Sequence, residues 1–270
     1  MQVRVSHGLG TWPKSGQVPR SGNGKIGAAL AVVQEFRLAV TRLLFRDDPY
    51  QRSCEAKVVA ARENLIELDR TVFYPLGGGQ PGDTGRIGDL PVIDARRGEG
   101  DRVLHIVAPD AALPAAGTVV RAELDWDRRY RHMRFHTALH LLGAVVRAPV
   151  TGGRIAEDKA HLDFDIDMDK LDKVAIESGV NALVLARHDT RSSWITDAEL
   201  DSRPELVRTM SVAPPRGAGR VRLMEIPGVD LQACGGTHVR NTREVGRIAV
   251  TRIRSEGKRN KRVTIALGSE

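Results

Sequence analysis

The stretch RHMRFHTALHLL, residues 131–142, limits what this chain can fold into more than any other. Read as a helix, it sets Phe135, Leu139, Leu142 and Val146 at i, i+4, i+7 and i+11, one apolar stripe that has to face a core. His136 and His140 then lie about 40° apart around the axis and roughly 6 Å along it, so both imidazoles reach one point beside the helix. Two imidazoles at one point suggest a metal. The spacing alone is weak, because a chain with 8 histidines often contains such a pair by chance, and an exposed pair is ordinary polar surface.

A second motif strengthens the first. In LQACGGTHV, residues 231–239, Cys234 and His238 flank Gly235, Gly236 and Thr237. The two glycines let the turn curl until both flanking side chains face inward. Cys234 with His136, His140 and His238 makes a zinc-type donor set, since thiolate and imidazole favour zinc over magnesium or calcium, and one pair on a helix with another on a turn can supply a tetrahedron. The plain alternative makes Cys234 a small buried hydrophobe and His238 a surface residue. Were all four donors engaged, the site would be closed and structural. With one position left to water, the ion would generate hydroxide near neutral pH or hold a substrate. Spacing leaves both open.

The length of 270 residues, 41% of them hydrophobic, is ample for a buried core in one large or two modest domains. Cys54 and Cys234 have unlike contexts and form no disulfide framework, and no apolar run approaches the roughly 18 residues of a membrane span. A reducing cytoplasm is the simplest location. The formal charge of +7 and pI near 9.8 point to a polyanionic partner, nucleic acid or an anionic membrane surface. Residues 1–39 hold 6 glycines and a single acidic residue, Glu35, against 5 basic ones. They read as a disordered extension rather than a leader, with natural translation expected to start at Val40.

Residues 40–124 read as a Gly-rich β domain. Strands are expected at 55–60, 65–68, 86–95, 103–107 and 118–124, short and glycine-punctuated as in a small barrel or sandwich. Within it, Gly77 to Gly85 form a long loop whose amides can approach a phosphate or a terminal adenosine; it lacks the GK[ST] end of a P-loop, and a plain flexible turn reads equally well.

Over 125–270, Asp125 or Asp127 caps the histidine helix, whose first turns carry Arg128, Arg129, Arg131, His132 and Arg134, either a solvated face or a phosphate dock. Strands come next at 150–155 and 160–166, with Asp163, Asp165 and Asp167 on one face; their period-2 spacing suits a half-buried strand with a wet side better than a cation site. A helix at 169–187, a strand at 192–195, a helix at 197–210 interrupted near Pro204, a loop at 214–219 and a strand at 221–226 lead to the CGGTH turn. Paired strands at 245–253 and 262–267 surround a positive loop with Lys258, Arg259, Lys261 and Arg262, a candidate phosphate contact.

HTALH followed by CGGTH, with FYPLGGGQPGDTG upstream at residues 73–85, resembles the freestanding alanyl-tRNA editing proteins (the AlaX group) and the editing domain of alanyl-tRNA synthetases. The resemblance runs from about Thr41 to the end of the chain. It implies an α+β protein: a small N-terminal β-barrel-like domain over 40–124, then an α/β editing domain over 125–270 holding one zinc ion per chain on His136, His140, Cys234 and His238. His132 matches no ligand position of the family and is expected on the surface. Gln80 becomes the polar contact of the substrate cleft, and Thr151 the side chain that bonds a seryl hydroxyl. Arg128, Arg131, Lys258, Arg259, Lys261 and Arg262 are the expected tRNA contacts.

The implied activity is trans-editing, hydrolysis of the aminoacyl ester at the 3′ end of Ser-tRNA(Ala) and of Gly-tRNA(Ala). The implied partner is the tRNA(Ala) acceptor end, with no membrane and no obligate protein partner. A second site that hydrogen-bonds a hydroxyl can remove an error that an apolar synthetase pocket rejects poorly. Two other readings stand beside it: a noncatalytic, zinc-stapled RNA-binding module, and a zinc hydrolase of small esters or amides. Threonyl-tRNA synthetase editing domains carry a related histidine and cysteine pairing, but the Gly-rich β domain favours the alanyl branch.

Overall fold

A computed structural model describes residues 40–207 and 219–268. The expected N-terminal extension, the end of the helix expected to reach residue 210 and most of the loop at 214–219 lie outside them. After a two-residue strand β1 (Arg42–Leu43) and one helical turn α1 (Leu44–Asp47), the chain enters β2 (Ser53–Arg62), β3 (Leu65–Leu68) and β4 (Arg70–Thr71). β5 (Gly85–Ile87), β6 (Leu90–Arg97), β7 (Val103–Val107) and β8 (Val119–Leu124) complete this part of the chain. The expected small barrel is present: β2, β3, β7, β6, β5 and β8 close on one another in that order. What was expected as one strand over 86–95 is a hairpin of two, because Gly88 turns the chain at a φ of 56°. Ile66, Leu68, Val92, Val107 and Ala122 fill the interior. His105, also fully buried there, is held between the Thr71 hydroxyl at 2.8 Å and Ile66 O at 2.9 Å.

The histidine helix α2 runs from Trp126 to Val146, longer than the motif itself. Asp125 caps it by accepting from Arg128 N at 3.2 Å; Arg147, in the left-handed region, ends it, and Pro149 prevents resumption. A single apolar stripe describes it poorly, because residues 135–142 are buried without a break. The helix is central, surrounded by protein on every side of its middle turns.

Elements from the C-terminal half of the chain wrap around it. β9 (Val150–Ile155) and β10 (Ala160–Phe164) join β14 (Ile248–Gly257) and β15 (Asn260–Leu267) in one sheet of order β14-β15-β10-β9. Helix α3 (Lys173–Leu185) packs on α2 and β14. Phe135, Leu142, Phe164, Val180, Val250 and Ile265 share the resulting core. β11 (Arg191–Thr196), β12 (Arg220–Ile226) and β13 (Asp230–Ala233) make a second, three-stranded sheet, with helix α4 (Asp197–Asp201) directly after β11.

Several sequence expectations are corrected here. His132 is 1% exposed rather than on the surface, because the helix that carries it is central. Arg129 is fully buried; its Nε bonds Asp83 at 3.0 and 3.1 Å, and its other nitrogens reach Pro49 O at 3.0 Å and Val72 O at 2.7 Å. Arg134 Nε donates to Val245 O at 3.0 Å. The first turns of α2 therefore brace the helix against its neighbours and are not an open basic face. Asp163 is 7% exposed and bidentate with Arg262 at 2.7 and 2.8 Å, its register partner on β15, so this member of the aspartate row is ion-paired rather than wet, while Asp167, past the end of β10, is exposed.

Candidate metal centre

The two histidine positions on α2 are brought to the CGGTH turn by β12 and β13, which pair antiparallel and deliver the chain to Cys234. Cys234 Sγ lies 3.5 Å from His136 Nε2 and 3.3 Å from His238 Nε2. One donor atom from each of His136, His140, Cys234 and His238 falls within 4.8 Å of all the others. A tetrahedron built on ordinary Zn–N and Zn–S bonds has neighbouring donors about 3.3–3.6 Å apart; the two Cys234 distances match it, and the set as a whole, within 4.8 Å, is somewhat wider. Gly236 is required at its place: a Cβ there would run into the His136 ring.

Each imidazole is oriented from its far side. His136 Nδ1 donates to Gln80 Oε1 at 2.8 Å, and Gln80 is itself held by Thr237, through its hydroxyl at 2.8 Å and its amide at 3.2 Å. His140 Nδ1 donates to Asp230 Oδ2 at 2.8 Å. His238 Nδ1 lies 3.2 Å from Thr137 Oγ1. Outer partners of this kind set the ring orientation and leave the other nitrogen for a metal. Burial by itself would push the Cys234 thiol up, but the imidazoles of His136 and His238 against it reverse this and hold it well below its ordinary value. Burial lowers His238 to about 3, whereas for His140 the effect of burial is outweighed by hydrogen bonds to Asp230 and Cys234, which raise it to about 10. A thiolate, a neutral imidazole and an imidazole made electron-rich by a carboxylate are the donors zinc takes.

The centre forms part of the wall of a cavity of about 270 Å³. His136, His140 and Cys234 face it, while Leu139, Val150 and Leu162 line its apolar side. Gly78 and Gly79 of the Gly-rich loop close it from the barrel. Gly79 needs its positive φ of 80° and its lack of a side chain, since a Cβ would sit 2.6 Å from Gly153 O. Exposed Arg97 and Arg154 stand at the rim.

Known proteins match this chain along most of its length. The family described as "Threonyl and Alanyl tRNA synthetase second additional domain" matches residues 221–264, which hold Cys234 and His238. Alanyl-tRNA editing protein AlaX-M of Methanosarcina acetivorans is 35% identical over 244 residues, covering 84% of this chain and 99% of the relative. The chain belongs to the alanyl-tRNA editing proteins. AlaX-M of Saccharolobus solfataricus is 34% identical over 233 residues, 83% of this chain and 98% of its own. Alanine–tRNA ligase of Ignicoccus hospitalis is 35% identical over 224 residues, which are 78% of this chain but only 24% of the ligase.

Within this alanyl-tRNA editing protein the remaining expected site residues fall in different surroundings. Gln80 is wholly buried behind His136 rather than at the cavity wall. The Thr151 hydroxyl donates to Asn260 Oδ1 at 2.8 Å, and Thr151 is not among the residues lining the cavity. Arg128 Nη1 donates to Gly82 O at 2.6 Å, and Arg131 sits 3.7 Å from Glu157. At the β14–β15 turn, Lys261 is buried with its Nζ on Gly257 O and Lys258 O, Arg259 pairs with Asp165 at 2.8 Å, and Lys258 is exposed.

Sequence reading missed Asp230, Gln232 and Thr137. Asp230, Gln232 and Cys234 alternate along DLQAC, a period-2 signal that would have put all three on one face of a strand. Thr137 lay inside the HTALH motif with nothing to mark it. Among the described residues no helix is long and apolar enough to cross a membrane.

Proposed function

We propose that this alanyl-tRNA editing protein is a trans-acting hydrolase that cleaves the ester of mischarged Ser-tRNA(Ala), and of Gly-tRNA(Ala), in the cytoplasm. The enzyme class is that of its family, an aminoacyl-tRNA deacylase. The observation that carries the reading is the place of the donor cluster: three of its four side chains open onto a small cavity rather than into the core. A purely structural zinc staple needs no such opening. His136, His140, Cys234 and His238 would hold one zinc ion; with one of the four positions given up to water or substrate it would supply a Lewis acid, and with all four engaged it would hold the wall of the cavity in place.

The residues around it define the rest of the chemistry. Gln80, Asp230 and Thr137 fix the rings. Leu139, Val150 and Leu162 restrict the space beside the centre and exclude water from that side. For the seryl substrate size cannot discriminate, because an alanyl group fits wherever a seryl group does, and a polar contact with the hydroxyl must; this contact serves Ser-tRNA(Ala) alone and does not act on a glycyl group. Thr151 would make this contact on releasing Asn260; Gln232, at the cavity wall with its Nε2 on Asp230, is a second candidate through its Oε1. The acceptor end would approach over Arg97 and Arg154, with exposed Lys258 and Arg259 of the β14–β15 turn as further phosphate contacts; Arg128, Arg131, Lys261 and Arg262 would have to leave their present partners to join them.

The deciding experiment compares hydrolysis of Ser-tRNA(Ala), Ala-tRNA(Ala) and a minimal seryl ester, before and after chelation. Serine release from the tRNA above the spontaneous rate, lost on chelation, with alanine spared, is the expected result. Release at the spontaneous rate alone would leave an RNA-binding module, and equal turnover of the minimal ester a general small-ester hydrolase.

A further inference from the structure

Trp194 lies on β11, at one edge of the three-stranded sheet, and is 42% exposed. Two guanidinium groups lie close to its ring. The Cζ atoms of Arg46, from α1, and of Arg220, at the start of β12, are each 5.8 Å from the ring centroid. Arg46 is held in place by Asp101 at 3.3 Å. An indole that is partly exposed and has two cations close to it offers a π face to a planar ring and positive charge to the phosphate beside it.

The position of this group relative to the metal cavity gives it a ligand. Arg46 lines a narrow cleft together with Tyr74, Arg97 and Gly235. The last three also line the metal cavity. A path along the surface therefore runs from the cavity past Arg97 and the Arg46–Asp101 pair to Trp194. An acylated adenosine in the cavity is the end of a single strand, and its unpaired neighbours have to leave along the surface. Single strands are bound by stacking bases on aromatic rings within positive grooves. A single exposed ring with two arginines close to it offers little apolar area for a protein partner.

We infer that Trp194, with Arg46 and Arg220 close to its ring, is a stacking platform for an unpaired nucleotide of the tRNA 3′ end, on the 5′ side of the acylated adenosine. This rests on the deacylase reading for its direction along the strand. The test uses the full zinc-loaded chain and two uncharged acceptor-stem hairpins, one with its single-stranded 3′ end and one blunt, followed by fluorescence anisotropy. Trp194→Ala should raise Kd for the overhanging hairpin about tenfold and leave the blunt one unchanged, and Trp194→Phe should keep most of the affinity. Equal affinity of Trp194→Ala and the unaltered chain for the overhang overturns the platform, as does an equal loss on both hairpins.

Deacylation separates the two readings. With the platform in place, Trp194→Ala raises KM for Ser-tRNA(Ala) but not for a minimal seryl ester of adenosine. If the unaltered chain releases no serine while Trp194→Ala still weakens the overhang, the deacylase reading fails and the platform stands. If serine is released and Trp194→Ala binds as tightly as the unaltered chain, the reverse holds.

Discussion

The His140 imidazole is held from behind by the Asp230 carboxylate at 2.8 Å, with Gln232 Nε2 bonding the same carboxylate at 2.7 Å. Loss of an outer partner of this kind typically weakens metal binding by about 10–100-fold without removing a ligand. Asp230→Asn is therefore expected to lower zinc affinity by that range, read by competition with a chelator of known affinity, while circular dichroism of the loaded protein is unchanged. His132 illustrates the opposite lesson. Four positions before His136 it has the same helical spacing as the ligand pair, yet it is buried away from the cluster, and its Nδ1 has no hydrogen-bond partner among the described residues. Burial lowers it to about 3, so it is a neutral ring in the packing.

At the scale of elements, α2 and the barrel are joined through the buried pair of Arg129 with Asp83, whose other carboxylate contact is Tyr74 N at 2.6 Å. Removing one member of a buried pair leaves the other charge uncompensated, at a cost of about 3–5 kcal/mol. Arg129→Met should show a loss of that size in urea unfolding of the loaded protein. The barrel carries its own pH response in His105, which burial lowers to about 4 from the usual 6.5. Folded His105 stays neutral while the unfolded chain takes up a proton below pH 6.5. Its contribution to stability is complete above that pH, falls as pH drops toward 4, and levels off below. A loss of up to about 3 kcal/mol across that window is expected. Unfolding measured at a series of pH values, with His105→Gln as the comparator lacking this response, checks it.

Across the whole molecule, the excess positive charge is unevenly available. Of the turn residues expected to meet phosphate, Lys261 and Arg262 are tied into the β14–β15 hairpin, and Lys258 projects outward. Lys258→Ala should weaken tRNA binding and reduce the slope of log affinity against log salt by about one, seen in titrations over a range of salt, if one phosphate contact is lost. The barrel strands at 65–68 and 103–107, the histidine helix and the CGGTH turn were legible in the sequence because each depends on local period and local turn chemistry. Strand ends were not, since they depend on which neighbours supply hydrogen bonds: β14 begins at Ile248 rather than 245 because residues Thr242–Val245 form a short helical turn first. By itself the sequence determined four donors in two rigid pairs, each pair held at fixed spacing by a helix turn or a glycine turn. Only the tertiary structure decided that the pairs meet, that Gln80 and Asp230 stand behind them, and that Leu139 lines the cavity. Those relations join positions far apart along the chain, and packing of the barrel and the two sheets, rather than any local preference, sets the distance between them.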